Sequence, residues 1–275
     1  MHDKMGKSIV FRGYTVATNQ AYDNFSRDYD KFVNWENRLR YELPFIEARL
    51  KPLGSRMRVL DAACGTGRHA IALAQRGFEV AGADLSSGMV ERARANGKMA
   101  KVEIHFEQAG FGELSKTFGE GLFDAVLCLG NSLPHVLSVL ELQRAIGDFA
   151  ACLRPGGLVM IQNRNFDAVM VHKERWMEPQ EYQEGSKEWL FLRFYDFLSD
   201  GMINFNIVTL RRGEDGQWQQ SVTSTPLLPL LQDELTTVMV AAGFEALNSF
   251  GDMSGALFDR VSSGNLIITA IKKGA

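Results

Sequence analysis

Between residues 58 and 162 the chain alternates short apolar runs with stretches whose apolar positions recur three and four apart, the pattern of strands and helices in turn. Arg58-Val59-Leu60-Asp61-Ala62-Ala63 reads as a short buried strand. A glycine turn follows, then a helical stretch through Ala70, Ala74 and Arg76, closed by Gly77. Phe78 to Asp84 is the second strand, and Ser86 is placed to cap a helix ending near Asn96-Gly97. Val102 to Phe106 is a third strand. Phe123 to Leu129 is a fourth, apolar on both faces as a central parallel strand should be. Leu142, Ala145, Ile146, Phe149 and Leu153 share one face of a helix over 137–153, and Arg154-Pro155-Gly156-Gly157 turns the chain into a fifth strand, Leu158 to Gln162. This alternation predicts an α/β fold, Rossmann-like and doubly wound around a mostly parallel sheet.

After Asp167 the period changes. Trp189 to Leu198, Met202 to Arg212 and Trp218 to Thr225 are β-rich, and the turn formers Ser199-Asp200-Gly201 and Gly213-Glu214-Asp215-Gly216 join them into an antiparallel meander. A helix from Leu230 to Ala242 with a Gly243 cap follows, then strands over 244–250 and 266–271, the last expected to run antiparallel. The expected organisation is an N-terminal helical segment (1–57), a core (58–167 and 229–275) and an antiparallel β subdomain (168–228).

Composition narrows the function classes. A chain of 275 residues with 45% hydrophobic residues fits one large domain, or one domain carrying an inserted subdomain. No apolar run approaches the roughly 18 residues of a membrane span. The opening MHDKMGKSIVFRG has charges but no apolar h-region, so no secretory signal is expected. With 30 basic and 33 acidic residues, the net charge of −3 gives no sign of a nucleic-acid partner. Cys64, Cys128 and Cys152 are odd in number and lie in apolar stretches, so they read as free buried thiols suited to a cytoplasmic location. Composition leaves a homo-oligomer open.

Asp61-Ala62-Ala63-Cys64-Gly65-Thr66-Gly67 sits between the first strand and the first helix. Small residues there let a ligand approach the backbone, and the helix start offers free N–H groups. Asp84, about 20 residues on at the end of the second strand, is where a doubly wound sheet holds ribose hydroxyls with an acid. A pyrophosphate site favours the full G-x-G-x-x-G, but only Gly65 and Gly67 are present, with His69 and Ala70 following. Asp61 would repel a pyrophosphate and tolerate a cation. S-adenosylmethionine, with a sulfonium, an ammonium and no phosphate, is the better match.

The run Val59 to Gly67 resembles motif I of class I methyltransferases, with Asp84 similar to their ribose-binding acid. Cys128-Leu129-Gly130-Asn131-Ser132-Leu133-Pro134-His135, Leu153 to Gly157 and Asn163-Arg164-Asn165-Phe166-Asp167 resemble the glycine and glycine/sarcosine N-methyltransferases, as do Tyr29-Asp30, Val33-Asn34-Trp35 and Arg38 upstream. The likeness spans about residues 25 to 167. It implies a lid formed by the β subdomain and a small-molecule methyl acceptor. It also implies a cofactor site of Tyr29, Trp35, Arg38, Asp61, Ala63, Gly65, Gly67, Asp84, Leu85, Met89, Ala109, Gly110, Phe111, Leu129, Asn131 and His135. Arg38 would meet the cofactor carboxylate. Asn131, His135 and Arg164 would face the reaction, Arg164 clamping an acceptor carboxylate with two parallel hydrogen bonds. An ion pair between Arg164 and Asp167 is the plain alternative.

Two positions depart from the family. Gln108-Ala109-Gly110-Phe111 stands where Glu-Ala-Asn-Trp is usual, removing a polar group from the adenine, and Asn163 replaces a histidine before the arginine. The expected chemistry is in-line transfer to a neutral amine, for which positioning supplies much of the rate and a general base is optional; His135 is the nearest candidate. Rival readings are an O- or N-methyltransferase acting on a different small molecule, and a non-catalytic adenosylmethionine-binding protein.

Overall fold

The computed structural model describes residues 28–54 and 57–274. The opening stretch read for a signal lies outside the described residues, as does the expected N-terminal segment before Asp28. Residues 28–32 are helical, and α1 (Trp35–Leu50) follows, capped by Asn34, whose side chain accepts from the Asn37 N–H. The next strands and helices alternate as β1 (Arg58–Asp61), α2 (Arg68–Ala74), β2 (Glu79–Asp84), α3 (Ser87–Met99), β3 (His105–Gln108), α4 (Leu114–Phe118), β4 (Phe123–Cys128), α5 (Val139–Cys152), β5 (Leu153–Arg164) and α6 (Phe166–His172). The inserted strands are β6 (Gln180–Glu184), β7 (Lys187–Phe197), β8 (Ile203–Arg212) and β9 (Trp218–Leu227). The chain then returns through α7 (Gln232–Ala241), β10 (Phe244–Phe250) and β11 (Asn265–Lys272).

The main sheet has the order β10-β11-β5-β4-β1-β2-β3, and the inserted strands form a second, antiparallel sheet in the order β6-β7-β8-β9. Strands β1 to β5 pair in parallel, while β11 runs antiparallel to both β5 and β10. The period of two sends Leu60, Val126 and Ile161 toward one layer with Ile146 and Phe149 of α5, and Val59, Leu127 and Met160 toward the other with Phe45 and Ile46 of α1. Burying such side chains contributes about 1.5–3 kcal/mol each and fixes the strand register. Because β1 pairs with β2 on one side and β4 on the other, the winding reverses there and opens a crevice at the carboxyl ends of the strands.

Several expected boundaries move. The third strand is 105–108 rather than 102–106, because Val102 still donates to Gly97 O (3.1 Å) and Lys101 has φ +57° as the chain leaves α3. Gly97 does not end that helix; it packs beneath Phe106, where a Cβ would stand 3.6 Å from the ring. Arg154-Pro155-Gly156-Gly157 is an irregular stretch inside β5, not a turn before it. The register jumps from Phe123↔Leu153 to Ala125↔Leu158, with Gly156 at φ +75° absorbing the extra residues. The meander has four strands, since β6 precedes the three that were expected, and α6 follows β5 because Asn165 caps it by accepting from the Ala168 N–H at 3.2 Å.

The second sheet reaches the N-terminal residues. Phe32 packs edge-on against Phe191 with ring centroids 5.4 Å apart, Lys31 Nζ lies 3.6 Å from the centre of the Trp189 ring, and Arg211 pairs with Asp28. Among the described residues no helix is long and apolar enough to cross a membrane, and the three cysteines are free and buried.

Candidate active site

The glycine turn is held by its neighbours. Ala62 N–H donates to Leu127 O on β4 and Cys64 N–H to Ala83 O on β2, both at 2.8 Å. Gly65 and Gly67 have φ of +53° and +78°, a backbone that favours glycine. The two glycines differ in what they serve. A Cβ on Gly65 would stand 3.6 Å from the Tyr29 ring, in ordinary contact. One on Gly67 would stand 2.9 Å from Phe106 Cζ and 3.0 Å from Ala93 Cβ, so Gly67 lets α2 and α3 pack over β3.

A cavity of about 890 Å³ opens at the crevice between the strand ends and the second sheet. That is near the upper end of the roughly 300–1,000 Å³ of small-molecule sites. Of the residues expected at the site, Tyr29, Arg38, Ala63, Gly65, Asp84, Leu85, Met89, Ala109, Gly110, Phe111, Asn131, His135 and Arg164 are on its wall. Trp35, Asp61, Gly67 and Leu129 are behind it. Trp35 packs edge-on against His69 (5.5 Å), and Leu129 belongs to the core layer beneath α1.

Electrostatics divide the cavity. Asp84 Oδ2 accepts from Gly65 N–H (2.9 Å) and Oδ1 from Ser86 N–H (3.0 Å). Asp61 is buried, and its Oδ2 has no hydrogen-bond partner among the described residues. Burial, reinforced by the Asp84 charge and opposed by Arg38, pushes its carboxyl up to about 7. A buried acid with an unused oxygen beside a second acid favours a cationic ligand.

Arg38 is oriented by a buried network. Its Nε donates to Glu42 Oε2 (3.1 Å), which lies 2.6 Å from His69 Nε2, while Gln162 Nε2 donates to Glu42 Oε1 (3.0 Å). Burial resists charge on Glu42, but the His69 hydrogen bond and the Arg38 charge outweigh it and hold the carboxyl down at about 2. Gln162 Oε1 in turn accepts from Gly130 N–H (3.0 Å). The absent side chain of Gly130 admits the Arg38 guanidinium, since a Cβ there would stand 3.2 Å from Nη2.

The loop after β4 carries the other polar groups. Asn131 has φ +65°; its N–H donates to Gln162 O and its Oδ1 accepts from Arg164 N–H, both at 3.0 Å. His135 ends a single 3-10 turn (Leu133–His135), and burial lowers its pKa to about 4, so the ring is neutral at pH 7. Arg164 places a guanidinium on the wall with Nη2 3.3 Å from the half-exposed Glu174, and its Nε has no partner among the described residues. Asp167, the expected alternative partner, is not that partner: it accepts from Gln232 N–H at 2.9 Å, tying α6 to α7.

The sequence reading missed Glu113, Asn163 as a wall residue, and the inserted-sheet residues Gln180, Arg193 and Tyr195. Glu113 Oε2 accepts from Gly110 N–H (3.3 Å), which restores an acid near the loop that lacks the usual polar side chain. An acid three residues past Gly110 was a readable signal; the inserted strands carry no motif.

The residues fit S-adenosylmethionine and resist a dinucleotide. Asp84, on the cavity wall, suits ribose hydroxyls. The Gly65 N–H that a pyrophosphate would need is already engaged by Asp84. Residues 59–157 match the model of a methyltransferase domain. The chain is 28% identical over 243 residues to glycine/sarcosine N-methyltransferase of Halorhodospira halochloris, covering 88% of this chain and 85% of that protein. It is 39% identical over 124 residues to glycine N-methyltransferase of Mus musculus, covering 41% and 42% respectively. The fold matches that of a S-adenosylmethionine-dependent methyltransferase from Clostridium acetobutylicum ATCC 824 with a TM-score of 0.74, at 15% identity and covering 92% of this chain and 99% of that one. With its acid-flanked glycine turn, its doubly wound sheet and these relatives, the chain is a S-adenosylmethionine-dependent methyltransferase.

Proposed function

We propose that the enzyme methylates the nitrogen of a small carboxylated amine of glycine or sarcosine type, in the cytoplasm, with Arg164 holding the acceptor's carboxylate. The observation that carries this reading is Arg164 itself: a guanidinium on the cavity wall, tied through its backbone to Asn131, with an unpartnered Nε turned away from bulk water. Its relatives named for glycine and sarcosine support the acceptor type.

Tyr29, Arg38 and Asp84 hold the cofactor, which when bound supplies an electrophilic methyl group on its sulfonium. Arg164 fixes the acid of the acceptor and Asn131 fixes the loop beside it, so the neutral amine enters with its lone pair oriented. The nitrogen gains the methyl carbon and gives up a proton to solvent. His135 is too weak a base at about 4 to be required for that proton, and serves as a neutral hydrogen-bonding wall group. The inserted sheet excludes water from above.

Transfer from labelled adenosylmethionine to a panel of amines with and without an acid group tests the reading. Activity on glycine, sarcosine and other carboxylated amines is expected, and activity confined to amines lacking an acid would contradict it.

A further inference from the structure

Strand β7 alternates, and its inward positions run Trp189, Phe191, Arg193, Tyr195. The three aromatic members are buried, so Arg193 is a cation set among apolar side chains on the face toward the cavity. Its guanidinium lies 5.0 Å from the centre of the Phe32 ring, and Nη2 donates to the Glu178 carbonyl at 3.2 Å. Among the described residues its Nε has no hydrogen-bond partner, and no carboxylate lies within ion-pair distance. Arg164 and Arg193 act electrostatically on each other and on Tyr195, so two like charges share this end of the cavity; Arg164 has Glu174 at ion-pair distance, whereas the Glu178 carboxylate acts on Arg193 only from farther off.

Two uncharged groups of the same wall are also unsatisfied. Asn163 is 1% exposed, yet neither its Oδ1 nor its Nδ2 has a hydrogen-bond partner among the described residues. Gln180 Oε1, from β6, is likewise buried without one. A buried polar group left unpaired is costly, so several of them around one space suit a ligand that can pair with them. Glycine, with one acid group and no side chain, would occupy Arg164 and leave Arg193 without an anion.

We propose that the acceptor carries a second acidic group, received by Arg193 while Arg164 holds the first, which makes the substrate class an amino dicarboxylate and Arg193 a specificity-determining residue. This rests on the carboxylated-amine reading above. The Asn163 amide, with one donor and one acceptor end, meets the polar atoms between the two acids.

The test pairs a binding measurement with a kinetic one. With the thioether product S-adenosylhomocysteine present, succinate and glutarate should bind the wild type at least tenfold more tightly than acetate by calorimetry. In methyl transfer, kcat/KM for aspartate or glutamate should exceed that for glycine at least tenfold, and Arg193→Met should bring that ratio toward one. Should Arg193→Met not fold, Arg193→Gln keeps the stem and a donor, and the wild-type rankings need no variant. Acetate binding as tightly as the dicarboxylates, or glycine or sarcosine preferred over both amino dicarboxylates, would overturn the inference and leave the carboxylated-amine reading intact. Transfer only to amines without an acid, with no binding of acetate or dicarboxylates, would overturn both.

Discussion

Asp84 Oδ2 accepts a 2.9 Å hydrogen bond from the Gly65 N–H, so the acid at the end of β2 and the glycine turn after β1 form one unit. The carboxylate thereby holds the turn at the wall of the cavity. Asp84→Ala should weaken adenosylmethionine or S-adenosylhomocysteine binding by about 1.5–3 kcal/mol, the loss of charged hydrogen bonds to ribose. Calorimetry on the folded variant checks this, and unchanged affinity would remove Asp84 from the site.

Glu42 anchors Arg38 from within the core. Glu42→Gln keeps the shape but removes the charge that Arg38 and His69 face, and should lower stability by about 1–3 kcal/mol. Affinity for the cofactor should fall with it, as Arg38 loses its orientation. Thermal melting and calorimetry on the one variant read both effects.

Asp61 sets a pH dependence of definite sign. Burial and Asp84 raise its folded value to about 7, against about 3.9 in an unfolded chain. Between those values the folded protein holds a proton that the unfolded chain has lost. This group's contribution is therefore full below about pH 4 and is lost as pH rises to about 7. Asp61→Asn cannot titrate, so the stability of the variant relative to wild type should rise between pH 5 and pH 8, on the order of 2 kcal/mol. Denaturation of both proteins at the two pH values measures it, and a constant difference would contradict the assignment.

Gly67→Ala tests the division of labour in the turn. The new Cβ meets Phe106 and Ala93 at φ +78°, and should cost about 1–3 kcal/mol of stability by overpacking and strain. An unchanged melting temperature would show that the helix packing tolerates it.

Much of the cofactor half was legible because its signals are local. Asp61, Gly65 and Asp84 fall at strand ends that period and turn residues already mark, and the contact of Asn131 with Arg164 follows from two adjacent strands ending at one crevice. What was missed depends on distant or ambiguous relationships. Glu42 and Gln162 meet across 120 residues, which no spacing reveals. Strand β6, Gln-Glu-Tyr-Gln-Glu, is a polar edge strand whose inward positions are Gln180 and Tyr182, so it lacks the alternation of apolar and polar residues that marks a half-buried strand. Arg193 does sit in an alternating series with Trp189, Phe191 and Tyr195. A cation at an inward position of a strand was thus a readable sign, although only the second sheet's placement over β5 shows what it faces.

The most direct measurement is methyl transfer from labelled adenosylmethionine to carboxylated amines by wild type and Arg164→Lys, with cofactor affinity measured alongside. A lysine keeps the charge and loses the two-point geometry. The account predicts turnover on carboxylated amines by the wild type, at least tenfold lower kcat/KM in Arg164→Lys, and cofactor affinity that barely changes. Equal activity of the two proteins on every acceptor used would contradict it.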